Sequence, residues 1–283
     1  MRDIPKIIHQ TWKTKRLPPM FQKSQKSWKS MNPDWKYRFY SDRECMAFVQ
    51  KHFPQYMSLY QALCSGVQRS DLFRYLVMYH YGGIYVDMDT TCLQPIDHWL
   101  DPLKNTCDTL DCVIGKDFQN HDPEGSGFGS EIEEYLQWCL LSVPNHPLWI
   151  QVVEKIDDRL QERPCHENNE FDEDYTLWLT GPGVMTDTIK AFLQEPQFMD
   201  IHFVEPGYLG NCSNHLITDR NTCLQKAYLD HHYAGTWRNE NILEDFTGSS
   251  LSSLGGNKDG FQKKIFLGCL VILVLLIILN VVI

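Results

Sequence analysis

Apolar and polar positions along the first third of the chain switch between two periods. Residues 6–12 (KIIHQTW) form a short β-prone run that Pro18-Pro19 closes off. Residues 35–40 (WKYRFY) alternate aromatic and basic side chains, the period of a half-buried strand. Ser41 and Glu44 then form a capping-box pattern ahead of Ala47, Phe48 and Val49: two side chains placed to satisfy orphan amides of a first helical turn. From Arg69 to His80, Leu72, Tyr75, Leu76 and Tyr79 recur at i, i+3, i+4 and i+7, which predicts an amphipathic helix. Gly82-Gly83 stops it, and Ile84-Tyr85-Val86 follows as a compact apolar strand. The order β, α, β, α, β predicts an α/β fold with its ligand site at strand C-termini.

The far end of the chain has a different pattern. Residues 265–283 carry no charge, and only Asn280 interrupts their apolar run. As a helix they would extend roughly 28 Å, close to a bilayer's hydrocarbon thickness. The Gly/Ser-rich stretch before them buries too little apolar surface to offset its ordering entropy. The expected organisation is a catalytic domain over 1–246, a stalk over 247–264 and a C-terminal transmembrane helix over 265–283. No apolar leader follows Met1, and no internal repeat is visible.

Composition changes this picture little. Hydrophobic residues make up 43% and the formal net charge is −10, with no Lys/Arg-rich run in the folded portion, so no nucleic-acid partner is expected. Ten cysteines include no C-x-x-C pair, which excludes a zinc ribbon or thioredoxin-like site. Cys107/Cys112 and Cys212/Cys223 are spaced to close short loops in an oxidising compartment; buried thiols are the alternative. Asn211-Cys212-Ser213 is a formal N-glycosylation triplet.

The chemistry concentrates at Asp87 and Asp89, directly after the apolar strand. In an extended chain, residues i and i+2 project to one side, so both carboxylates face one cation. Two hard oxygen donors suit Mn²⁺ or Mg²⁺, which keep positions for water and phosphate oxygens.

The segment 69–91 resembles the heart of glycosyltransferase family 32, the DXD sugar transferases that include inositol phosphoceramide mannosyltransferase-like members. Residues 4–12 are similar to the family's opening strand, Gly181–Thr186 to its G-P-x-x-x-T element, and 231–237 to its closing H-x-x-x-G-S-W, with Thr236 where Ser is common. The resemblance implies a GT-A-like α/β domain that binds a nucleotide sugar. It implies Asp87 and Asp89 as catalytic metal ligands, joined by His231 with His232 as the alternative. On the donor side it implies Asp71 and Arg74 gripping the sugar from one helix face, with Gly82, Gly83, Gly181 and Pro182 nearby. Trp12 would stack on the base; a core tryptophan is the competing reading. The implied reaction moves a hexose, first mannose from GDP-mannose and then UDP-sugars, to a lipid-linked or glycan acceptor with retention.

Two other classes compete for the same residues. Asp87-Met-Asp-Thr-Thr91 also fits the D-x-D-x-T signature of aspartyl-phosphate phosphatases, with Asp87 as nucleophile and Asp89 as general acid. Against it, more than eighty residues precede the motif, and Asp157-Asp158 lies in a helix-like context rather than as the second acidic cluster such enzymes need. A non-catalytic membrane-bound sugar-binding protein is the third reading. Topology has conflicting signals: Lys258, Lys263 and Lys264 before the span favour a cytosolic domain. The resemblance, the Asn211 triplet and the cysteines favour the lumenal face of Golgi or another endomembrane, which is the expectation carried forward.

Overall fold

The computed structural model describes residues 3–106, 109–121, 130–165, 172–196, 200–212, 217 and 219–236. The expected stalk (247–264) and span (265–283) lie outside the described residues. Among those described, no helix is long and apolar enough to cross a membrane.

The chain opens with β1 (Ile7–Trp12), α1 (Pro19–Met31), β2 (Lys36–Ser41) and α2 (Asp42–His52). A 3-10 turn (Pro54–Tyr56) and α3 (Met57–Ala62) lead to α4 (Gly66–Tyr81), β3 (Gly83–Val86) and β4 (Thr90–Cys92). After α5 (Ile96–Thr106) come the long strands β5 (Cys112–His121) and β6 (Ser130–Ser142), then α6 (Pro147–Glu162), α7 (Glu173–Leu179) and α8 (Pro182–Phe192). The described chain closes with β7 (Ile201–Val204), β8 (Leu209–Gly210), α9 (Arg220–Lys226) and β9 (Leu229–His231).

Six strands form a mixed sheet ordered β2-β1-β3-β6-β5-β7. β1 runs parallel to both β2 and β3, while β6 is antiparallel to β3 and β5. A smaller sheet, β4-β9-β8, continues from the end of β3. The fold is therefore α/β, and its central strand β3 delivers the acidic pair at its C-terminal end.

Local signals account for much of this. Ser41 and Glu44 make the reciprocal capping box that starts α2. Ser65 caps α4 by accepting from the Gln68 amide, and Gly82 ends it at φ +60°, a backbone region that glycine enters without strain. α4 differs from expectation: it is buried on nearly every side, including Phe73, Val77 and Met78 between the predicted apolar positions. Packing against both α2 and α6 removes the solvent face that an amphipathic helix needs.

Two of the cysteine expectations meet the structure directly. Cys212 and Cys223 are bonded, as their spacing suggested, and a second disulfide joins Cys64 to Cys165, 101 residues apart. Cys112 is a free, buried thiol rather than the partner of Cys107, a residue outside the described set. Its place in β5, paired to both β6 and β7, sets it inside the sheet. Asn211 is likewise corrected. It is fully buried, its amide donating to Lys116 O and Asp117 Oδ1 at 3.2 and 3.3 Å, so the folded domain has no room for a glycan there.

Candidate active site

β3 ends at Val86, and four backbone or side-chain contacts then hold Asp87. Its amide donates to Trp138 O at 2.9 Å. Its carbonyl accepts from Thr90 Oγ1 at 2.6 Å, from the Thr90 amide at 3.3 Å and from Gln10 Nε2 at 3.2 Å. Residues 87–90 thus form a turn, not the extended segment expected, and strand alternation is not what brings the carboxylates together. Met88 points into the protein and is buried, and the turn swings Asp87 and Asp89 to one side. Trp28 of α1 secures the exit of this turn by donating its indole N–H to Thr90 O at 3.1 Å.

The segment after β9 wraps Asp89. The Ala234 amide donates to its Oδ2 at 3.0 Å, and the His232 amide donates to its carbonyl at 2.9 Å. His231 Nε2 lies 3.4 Å from Asp89 Oδ1, and its ring stacks on Trp138 at 4.4 Å between centroids. One ligand atom from each of Asp87, Asp89 and His231 falls within a sphere where all are 4.8 Å or less apart. His232 turns the other way, to Thr91 Oγ1 at 2.7 Å, on the exposed side.

Beneath the acidic turn lies a buried charge network. Arg74 reaches Asp71 Oδ1 at 2.9 Å and Asp87 Oδ1 at 3.1 Å, and donates to Gln137 O at 3.0 Å. Its guanidinium also covers the Tyr85 ring at 4.8 Å, and the Tyr85 hydroxyl donates to Asp87 Oδ1 at 3.0 Å. Thr180, just before Gly181, donates to Asp71 Oδ2 at 2.7 Å. Asp71 and Arg74 share a helix face as expected, but they are only 3% and 6% exposed. This excludes a surface ion pair. Their polar atoms reach one another, Asp87, Thr180 and the Gln137 carbonyl, and Arg74 Nε is buried without a hydrogen-bond partner. Arg74 thereby ties Asp71 of the same helix to Asp87 at the end of β3.

The remaining expectations divide. Trp12 is at the C-terminal end of β1, partly exposed and tilted against Phe21 at 4.6 Å, so it is not a core tryptophan. Gly83 opens β3 and Gly82 precedes it, roughly 13 and 16 Å from Asp87 at a strand's rise per residue. A Cβ at Gly82 would meet Ser142 O at 2.6 Å, and one at Gly83 would meet Ile7 O at 2.4 Å. Their role is close strand packing rather than donor contact. His9 locks the same corner, with its ring nitrogens 3.0 Å from Gly82 O and 3.1 Å from the Tyr40 hydroxyl. Gly181 and Pro182 begin α8 behind Thr180, and a Cβ on Gly181 would strike Leu177 at 2.8 Å. Asp157 and Asp158 are mid-helix residues of α6, with no place in the cluster that gathers Asp87.

Sequence reading missed Gln10, Tyr85, Trp138 and Thr180. Tyr85 and Gln10 lie on strands already picked out, and alternation alone points Tyr85 to the side of Asp87. Trp138 and Thr180 come from elements with no local signal of their own.

Electrostatics separate the two carboxyls. Burial pushes Asp87 up, against the pull of Arg74, and the charge of Asp89 adds to the rise. Burial also works on Asp89, but His231 and the Ala234 amide outweigh it and hold that carboxyl below its ordinary value. His231 Nδ1 is a buried ring nitrogen with no hydrogen-bond partner. Two carboxylates and an imidazole at this spacing fit a divalent cation with room for further oxygen ligands.

Fold and site together define an α/β protein able to hold a divalent cation at the end of a central strand. Residues 18–104, from α1 through the acidic turn into α5, match the family model described as "Glycosyltransferase sugar-binding region containing DXD motif". It is 28% identical over 218 residues to an initiation-specific alpha-1,6-mannosyltransferase of Candida albicans, covering 69% of this chain and 56% of that protein. Over 97 residues it is 41% identical to inositol phosphoceramide mannosyltransferase 2 of Schizosaccharomyces pombe, covering 34% of this chain and 28% of that one. The chain thus spans about half the length of the first relative and about a quarter of the second. The solved structure of PaToxG Glycosyltransferase overlaps with a TM-score of 0.46 at 18% identity, covering 68% of this chain and 70% of that one.

Proposed function

We propose that the chain is a metal-dependent glycosyltransferase that moves a hexose from a nucleotide diphosphate donor to a lipid-linked or glycan acceptor. Mannose from GDP-mannose is the first donor, in keeping with the names of the relatives, and the configuration is retained. The carrying observation is the convergence of Asp87, Asp89 and His231 at the end of β3. These three residues hold Mn²⁺ or Mg²⁺, which when bound neutralises the negative charge that grows on the departing nucleoside diphosphate. Arg74 and Tyr85 fix the rotamer of Asp87, and Asp71 with Thr180 fixes Arg74, so the ligand oxygens are pre-aimed. Trp12, partly open at the end of the neighbouring strand, offers a ring face to the nucleotide base.

The domain faces the lumen of Golgi or a related endomembrane, with 265–283 as its anchor. Two disulfides support an oxidising compartment, whereas the buried Asn211 no longer contributes. The test is a donor screen on the full chain, following release of GDP from GDP-mannose or UDP from UDP-sugars, with and without Mn²⁺. Asp87→Asn and Asp89→Asn each weaken Mn²⁺ binding by about a hundredfold or more, at or beyond the upper end of the roughly 10–100-fold loss for an outer-shell partner, and abolish metal-stimulated release. Turnover that survives both chelation and these substitutions overturns the proposal.

A further inference from the structure

A chain of net charge −10 carries, in residues 13–38, eight Lys/Arg against one acidic residue, Asp34. The cations are interspersed among polar and aromatic residues, so no contiguous basic run marks them. Folding gathers them. The turn after β1, the helix α1 and the edge strand β2 border an open cleft of about 480 Å³ lined by Lys15, Arg16, Gln25, Lys29, Tyr37 and Phe39. The Lys15 ammonium lies 5.2 Å from the centre of the Phe39 ring, and that of Lys29 lies 4.7 Å from the Tyr37 ring. Lys15 pairs with Glu44, while neither Arg16 nor Lys29 has an ion-pair partner among the described residues.

A purely structural account leaves this arrangement unexplained. Three cations around one concavity repel each other, and a single carboxylate offsets only one of them. Such a cleft focuses positive potential and attracts an anion. Guanidinium and ammonium donors suit phosphate oxygens, and the two ring faces suit the body of a molecule that carries the phosphate. The volume lies within the usual range of about 300–1,000 Å³ for small-molecule sites.

The cleft is separate from the cation site but linked to it. Thr11 bonds to Ser70 of α4 and to Tyr85, so Gln10, its neighbour on β1, faces the other side of the sheet. There the Tyr37 hydroxyl donates to Gln10 Oε1 at 2.6 Å, and Gln10 Nε2 donates to Asp87 O at 3.2 Å. One wall of the cleft therefore braces the acidic turn from behind.

We infer that the cleft between α1 and β2 is a second ligand site, one that takes a phosphoester through Lys15, Arg16 and Lys29 with its body against Tyr37 and Phe39. The phosphoester comes either from a free phosphorylated compound or from the headgroup of an anionic lipid. Lysine acylation read by mass spectrometry tests this on the full chain, with Lys155, exposed on α6, as the internal reference. One arm titrates inorganic phosphate in the presence of pure phosphatidylcholine nanodiscs; the other uses nanodiscs that also contain phosphatidylserine. Protection of Lys15 and Lys29 but not Lys155 by phosphate supports a free compound, and protection only with phosphatidylserine supports a lipid headgroup. In either arm Arg16→Ala raises the concentration for half-protection about tenfold or more, the loss of a charge-assisted hydrogen bond. The Asp87→Asn chain retains the protection. Equal protection at Lys155, no protection in either arm, no effect of Arg16→Ala, or loss of protection in Asp87→Asn overturns the inference.

Discussion

Arg74→Met removes the one guanidinium that bridges Asp71 and Asp87 while keeping most of the side-chain length. In the native fold that group lies 2.9 Å from Asp71 and 3.1 Å from Asp87, and both Asp71 and Arg74 are buried. Breaking a buried pair by removing one partner costs about 3–5 kcal/mol, because the remaining charge is left without compensation. Here a carboxyl has an escape: it can bind a proton. Burial has already pushed Asp71 up to about 7 from 3.8, with Arg74 and Thr180 pulling it back down. A folded value above the unfolded one means the native state binds the extra proton, so this group's contribution is lost as pH rises through about 7. Without Arg74 the folded value rises further and the window of loss extends upward. The destabilisation should be about 3 kcal/mol at pH 6 and should grow towards pH 8, by up to roughly 1.4 kcal/mol per pH unit for each carboxyl. Urea unfolding of the full chain, followed by tryptophan fluorescence at both pH values, measures it. Asp71→Asn in the same chain should recover part of the loss and flatten its pH dependence. A loss below about 1 kcal/mol that is equal at pH 6 and pH 8 would refute the buried network.

Two other consequences are open to direct measurement. His231→Ala should weaken Mn²⁺ binding at least tenfold more than His232→Ala, read by electron paramagnetic resonance, because only the His231 ring faces the carboxylates while His232 bonds Thr91. The opposite order would place the ligand one residue later. His9 is fully buried, and burial, aided by the charge of Arg38, lowers its pKa from 6.5 to about 3, so the native state keeps it neutral while the unfolded chain binds a proton. Stability from this group is complete above pH 6.5 and falls as pH drops, by about 2 kcal/mol between pH 6.5 and 5. Urea midpoints over that range should therefore slope less in His9→Gln, and an unchanged slope would mean that His9 is protonated in the fold.

What the sequence determined by itself is what short-range physics controls. A β-prone run located β1, aromatic–basic alternation located β2, the Ser41/Glu44 spacing located the start of α2, and two glycines after a long helix located the entry to β3. The acidic pair was legible because its chemistry lies in residues two apart, and the i, i+3 spacing put Asp71 and Arg74 on one face. Tertiary structure decided everything that depends on which surfaces meet. Packing between α2 and α6 buried the middle of α4 on nearly every side, so the Asp71–Arg74 pair became an internal contact rather than a surface one. Thr90 closed a turn on the Asp87 carbonyl, and that turn rather than an extended strand brought the carboxylates together. Trp138 and His231 stack although 93 positions separate them, and Cys64 finds Cys165 across 101. The glycines at 82 and 83 read as possible ligand contacts until the backbone beside them showed steric necessity. The basic cleft followed the same rule: its cations are scattered in the chain, and only a turn, a helix and an edge strand folded together set them around one space. Long-range partners carry no local periodicity, so a linear pattern encodes the elements and the chemistry they carry, while the distances between them belong to the fold.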